Sequence, residues 1–184
     1  MTMVALGLGF GLTWFALTSE GAIGTFRFGP WVSWPGVGAP DPDPYTRARM
    51  ARTGALPLGR SEGIEFVAAH DSTGRPLVSN CTYRLAGNTP VATFWTLYAA
   101  TSDGSNLAPE GMAEALNSAR LMREPDGSVV IAVGPALSPG NWLETTALPR
   151  RPVRLILTLY DAAVFSGLGS DVSSLPEIRE VSCS

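Results

Sequence analysis

No ionisable side chain interrupts the chain before Glu20. Residues 3–17 read Met-Val-Ala-Leu-Gly-Leu-Gly-Phe-Gly-Leu-Thr-Trp-Phe-Ala-Leu, and a helix apolar on every side must be covered by protein or lipid. As a helix, residues 2–19 reach about 27 Å at about 1.5 Å per residue, against a hydrocarbon layer of about 30 Å. The segment 1–20 is therefore predicted to be a single transmembrane anchor. A cleaved secretory signal is the rival reading, but it needs a small-x-small site. Ala16-Leu17-Thr18 is a poor one, and Ala22 has Glu20 two residues before it.

Gly7 and Gly11 stand in a G-x-x-x-G spacing, with Gly9 between them. Missing side chains on one helix face let a second helix approach, so these glycines are read as the packing face of the membrane helix. Residues 21–60 read as an interfacial linker. Phe26, Phe28, Trp31 and Trp34 alternate with glycine and proline; Trp31 and Trp34 suit the headgroup layer, where an indole buries its ring and keeps its N–H wet. Pro40-Asp41-Pro42-Asp43-Pro44 is a stiff spacer, and Asp43 with Pro44 supplies an N-cap and first-turn pair for a short helix over residues 45–52. That helix would carry Arg47, Arg49 and Arg52.

Composition narrows the chemistry. The net charge is −3, with no basic block, so a surface that tracks nucleic-acid phosphates is not expected. Every basic residue among the 13 is arginine; without lysine there is no Schiff-base, P-loop or kinase-type lysine. One histidine and two cysteines cannot build a three- or four-ligand His/Cys centre. No metal and no cofactor is expected. Charged residues make up 16% of the chain, against about 25% for a soluble domain, which points to surface covered by lipid or by a partner.

From residue 61 onward the period changes to two. Ile64, Phe66 and Ala68 share one face, and Asp71-Ser72-Thr73-Gly74-Arg75-Pro76 reads as the turn of a hairpin whose return strand covers 77–85. Strands are also predicted over 91–99, 129–133, 153–159 and 178–183, with a hairpin turn at Glu124-Pro125-Asp126-Gly127 and a short helix over 109–116. Many strands separated by turns make residues 61–184 a mainly β, antiparallel β-sandwich or a partly closed barrel.

The order of Phe94-Trp95-Thr96-Leu97-Tyr98, Glu124-Pro125-Asp126-Gly127-Ser128, Pro139-Gly140-Asn141-Trp142-Leu143 and Leu155-Ile156-Leu157-Thr158-Leu159-Tyr160-Asp161 resembles the landmarks of the bacterial DUF 1214 family over about residues 61–184. The resemblance implies a jelly-roll-like sheet fold and no defined activity. Short members with a membrane helix stand beside anchored DUF 1254 proteins, which makes such a protein the partner that the resemblance implies. The chain departs from the family pattern at Tyr98-Ala99, where Tyr-Asp is usual, and at Asn117-Ser118-Ala119-Arg120, where Arg-Tyr follows the Asn.

Cys81 and Cys183 read as a disulfide that pins the last strand in an oxidising compartment, the other reading being two separate buried thiols. His70 is the sole imidazole available as a base, and no G-x-S-x-G elbow presents a nucleophile to it. Glu62, Glu65, Asp126, Glu144 and Asp161 are the carboxylates that could pair for glycoside hydrolysis. Trp95 and Trp142 could stack on a sugar ring, although alternation also suits a core position. His70, Trp95 and Trp142 are the candidate ligand or partner contacts.

The resulting expectation is a noncatalytic module in the bacterial inner membrane, with its N-terminus cytoplasmic and its β-sandwich periplasmic. Its expected partners are membrane lipid and another envelope protein, such as a DUF 1254 protein or a respiratory or photosynthetic complex. The alternative is a periplasmic enzyme or ligand-binding protein for a cell-envelope glycan or a small apolar molecule.

Overall fold

The structure, a computed structural model, describes residues 2–18, 25–34, 36–54, 58–59, 61–89, 92–146, 148–160 and 175–183. Two helices, α1 (Thr2–Thr18) and α2 (Pro44–Thr53), accompany ten strands. These are β1 (Phe26–Phe28), β2 (Trp31–Ser33), β3 (Gly63–Ala68), β4 (Cys81–Gly87), β5 (Phe94–Thr101), β6 (Leu116–Asn117), β7 (Val129–Gly134), β8 (Asn141–Glu144), β9 (Val153–Tyr160) and β10 (Glu177–Cys183). They form a six-stranded sheet, ordered β1-β2-β3-β9-β5-β6, and a four-stranded sheet, ordered β10-β4-β7-β8. Every named pair is antiparallel except β7 with β8.

The strongest alternation in the sequence makes the central strand. Leu155, Leu157 and Leu159 of β9 face the core between Ile64, Phe66 and Ala68 of β3 and Trp95, Leu97 and Ala99 of β5. The same hydrophobic cluster takes in Tyr83, Leu85, Val129, Ile131, Val133, Leu143 and Ile178 of the four-stranded sheet. One core therefore serves both sheets, and burying each large apolar side chain contributes about 1.5–3 kcal/mol before entropy is counted.

Several expectations are corrected. Among the described residues no helix is long and apolar enough to cross a membrane. Within the span expected to cross, 1–20, the structure has a helix of 17 residues, α1, about 26 Å at about 1.5 Å per residue. Residues 1, 19 and 20 of that expected span lie outside the described residues. The linker assigned to 21–60 is not separate from the body, because β1 and β2 extend the six-stranded sheet beyond β3.

Trp31, expected at the membrane interface, has 0% exposure and faces the core beside Ala68. Its indole N–H donates to the Pro176 carbonyl at 2.8 Å, so it cannot reach a headgroup layer. The turn at 71–76 does not join a hairpin either: β3 and β4 belong to different sheets. Its mouth is closed by a bridge between His70 and Pro76 and by the Leu77 N–H donating to the Ala69 carbonyl at 2.9 Å. The expected helix over 109–116 is absent. Asn106 instead folds the segment back, its amide donating to the Glu114 carbonyl and its carbonyl oxygen accepting from the Ala108 N–H.

Candidate functional site

The first feature is α1 itself. Met3, Leu6, Leu8, Phe10, Leu12, Trp14 and Phe15 are all exposed, Phe10 by 75%. A Cβ placed on Gly7, Gly9 or Gly11 would meet nothing within 4 Å. The glycine face is therefore open among the described residues.

Near its C-terminal end α1 meets α2, where the Arg52 guanidinium lies 5.5 Å from the Trp14 ring centroid. The helix α2 begins as the sequence dictates: Asp43 accepts from the Tyr45 and Thr46 N–H groups at 2.9 and 3.1 Å, with Pro44 following it. Hydrogen bonding by Thr46 holds the Asp43 carboxyl below the usual carboxylate range. Arg47 pairs with Asp41, and Arg49 stacks over Trp34 at 4.1 Å. Trp34 is thus held against α2, while Trp31, three residues earlier, is in the core.

The second feature clamps the last strand. Cys81 and Cys183 are joined by a disulfide, and they face one another in the β4 and β10 register. Glu180 approaches both sulfurs within a span of 4.8 Å, but sulfurs bonded to each other offer no thiolate to a metal. The 71–76 turn reinforces the clamp: the Ser72 N–H donates to the Ile178 carbonyl at 2.8 Å, and the Ile178 N–H donates to the Ser72 hydroxyl at 2.9 Å. Arg75 reaches Glu180 at 3.3 Å.

Asp71, 2% exposed, organises that turn by accepting from the Thr73 and Arg75 N–H groups, the Thr73 hydroxyl and the Arg75 guanidinium. Burial works to raise its carboxyl, but the donors outweigh burial, first of all Thr73, and its pKa lies below the usual value. His70 is exposed at the edge of this turn. With the Asp71 carboxylate committed to Thr73 and Arg75, the neighbouring acid is not free to orient an imidazole, and the pair is not assembled as a catalytic base.

The candidate carboxylates are dispersed. Glu62 accepts from the Gly59 N–H and Asp126 from the Ser128 N–H, both in exposed turns. Glu65 and Glu144 lie on different sheets, and Asp161 is outside the described residues. Glu65 projects from the face of the six-stranded sheet opposite the core, where the register sets it beside Thr158 and, one strand on, Thr96. Surrounding protein displaces water from its carboxyl and pushes its pKa up, although the side chain keeps an exposed edge. On the same face burial raises the Tyr98 hydroxyl, helped by the charge of Glu65.

The two candidate stacking residues part company. Trp95 is 2% exposed in the core, and its indole nitrogen finds no partner among the described residues. Trp142 is half-buried on the outward face of the four-stranded sheet, with its N–H donating to the Gly134 carbonyl at 3.1 Å.

Register places Trp142 of β8 beside Ala132 of β7, and Ala132 beside Arg84 of β4; one step along, Glu144 lies beside Gly134. The middle strand thus presents two small residues between the taller walls of its neighbours, forming a shallow trough. Thr82 closes one end: a Cβ on Gly134 would lie 2.7 Å from its hydroxyl oxygen. Sequence reasoning missed Arg84, Ala132 and Gly134 as neighbours of Trp142. Alternation reveals which face each residue occupies, but β7 and β8 run parallel across a connection of only a few residues, for which an antiparallel return is the ordinary expectation.

The sequence profile of the family described as "Protein of unknown function (DUF1214)" matches residues 62–164. In fold, the chain is similar to the VPA0106 protein from Vibrio parahaemolyticus, with a TM-score of 0.58 and 18% identity over 77% of this chain and 36% of that one. It is also similar to a putative uncharacterized protein from Burkholderia cenocepacia, with a TM-score of 0.51 and 16% identity over 97% of this chain and 42% of that one. The chain spans well under half the length of either solved protein. Among curated proteins none matches it in sequence.

Proposed function

The chain belongs to the DUF1214 family of proteins of unknown function, and from that premise we propose that it is a noncatalytic interaction module attached to the bacterial inner membrane, its sheets stacked as a β-sandwich on the periplasmic side. One observation carries the reading: α1 is an uncharged helix whose apolar side chains are exposed from Met3 to Phe15. Such a surface is stable when lipid or another apolar helix covers it. The disulfide supports an oxidising compartment, since such bonds persist outside the reducing cytoplasm.

The partner is a second envelope protein. In both solved neighbours this fold occupies well under half of a longer chain, so the body is a unit that works against further protein. Whether on this polypeptide or a separate one, that further protein takes the place expected for a DUF 1254 protein or a respiratory or photosynthetic complex. The open Gly7 and Gly11 face receives its membrane helix.

The test starts from native membranes. The chain resists an alkaline carbonate wash, and after mild detergent extraction and crosslinking it migrates with a second polypeptide. Release by carbonate removes the attachment, and migration alone removes the partner. A reporter fused after β10 that is active only in cytosol removes the periplasmic placement.

A further inference from the structure

The trough on the four-stranded sheet is independent of the attachment helix and holds an unusual polar group. The Glu144 Oε2 atom is buried and has no hydrogen-bond partner among the described residues. An unsatisfied buried acceptor costs about 1–3 kcal/mol, and more when it is charged; the described residues supply no donor to this one, so the half-exposed side chain gains by turning toward a donor brought to this face. Across the trough stands Arg84, an exposed residue that makes no ion pair among the described residues, whereas its neighbour Arg179 is held by Glu177 at 2.7 Å. Trp142 lines the remaining side, its ring fixed by the hydrogen bond to Gly134 and still half-exposed.

The geometry points to a binding site for a neutral sugar ring, with Trp142 as the stacking face, Glu144 as the acceptor and Arg84 as the donor. Neighbouring strands are spaced by about 4.8 Å, which sets the Trp142 and Arg84 backbones about 9.6 Å apart across Ala132. One ring, rather than a helix or a strand, fits between their side chains. Charge selects the class. A ligand carboxylate over the trough faces Glu144, and a ligand ammonium faces Arg84, so either ion meets repulsion on one side. A hydroxyl donates to a carboxylate and accepts from a guanidinium, so a ring bearing several satisfies both walls without carrying charge. Its C–H face covers the apolar body of the indole, which is what an amphipathic aromatic does at a half-wet surface. Ala132 and Gly134 matter because they are small; a larger side chain at position 132 fills the trough.

The experiment titrates the full chain, in a detergent without a sugar headgroup, with tetrasaccharides of glucose, mannose and N-acetylglucosamine. Binding is followed by calorimetry and by the indole N–H resonance of Trp142. At least one neutral tetrasaccharide binds saturably and shifts that resonance. Trp142→Ala and Ala132→Leu each weaken binding roughly tenfold or more, the equivalent of about 1.4 kcal/mol, while Trp142→Phe retains most of it. Arg84→Gln, at an exposed position that the fold does not need, weakens binding with an unchanged melting temperature. If no member of the panel binds, if Trp142→Ala and Arg84→Gln bind as the parent does, or if acetate or an alkylammonium ion binds in preference, the site is not one for neutral sugars.

Discussion

Cys183 stands directly opposite Cys81 across the β10 and β4 pair, and their sulfurs are bonded over a sequence separation of 102 residues. β10 is an edge strand whose ladder runs along β4 alone, so the bond replaces the second neighbour that an interior strand would have. Replacing both cysteines by serine lowers stability by about 2–4 kcal/mol, read as a fall in the urea midpoint. Reductant has the same effect on the parent chain and none on the double variant. A midpoint indifferent to both treatments refutes the clamp.

Asp71 gives the fold an acid limit. Its folded pKa lies below the unfolded value of about 3.9, so its stabilising contribution is complete above the unfolded value and disappears as pH falls through the folded one. Asp71→Asn removes the charge that the turn donors address and costs about 1–3 kcal/mol at neutral pH. The Arg75 part of that loss is small, because its side chain is 57% exposed. Acid titration of the parent and the variant converges at low pH. A constant gap down to the lowest pH contradicts the assignment.

Glu65 works in the opposite sense. Displaced water raises its pKa in the folded chain, so the native state keeps the proton to higher pH than the unfolded chain, whose glutamate titrates near about 4.3. Ionising it weakens the fold progressively as pH rises through the window between the two values, and fully above the folded one. Glu65→Gln therefore melts at a higher temperature than the parent at neutral pH and at the same temperature below the unfolded pKa. A variant that melts lower at neutral pH sinks this prediction.

The two buried tryptophans of the core differ in one hydrogen bond. Trp31 donates to the Pro176 carbonyl, while the Trp95 nitrogen has no partner among the described residues. Changing each to phenylalanine removes comparable ring area, but the first leaves a carbonyl orphaned and the second relieves an unsatisfied donor. Trp31→Phe is expected to cost more than Trp95→Phe by about 1 kcal/mol, measured by chemical denaturation of both variants side by side.

The strands were legible where alternation was strong. Ile64, Phe66 and Ala68 and the leucines of β9 fall on the core face that the sequence predicts for them. The proline-led helix α2 and the cysteine pairing were legible too, each through local chemistry. Sheet membership was not. The 71–76 segment has the composition of a hairpin turn, yet it carries the chain from one sheet to the other, and residue preference in a turn does not report the direction in which the next strand leaves. Trp31 was misplaced for a related reason: the three-residue strands β1 and β2 are too short to show a period, so their aromatic residues resemble a membrane collar. The trough could not be read in advance, because Ala132 gains meaning only once β8 and β4 are known to flank it.

The disulfide also sets how the body carries tension. A pull that enters from α1 and leaves beyond β10 travels along the chain to Cys81 and there crosses to Cys183, bypassing residues 82–182. β1, β2 and β3 precede that crossing and form one side of the six-stranded sheet, so they peel first, β3 parting from β9, while the covalent path of the load does not run through the strands inside the ring. A tethered module built this way lengthens under force by a bounded amount and keeps its four-stranded sheet folded.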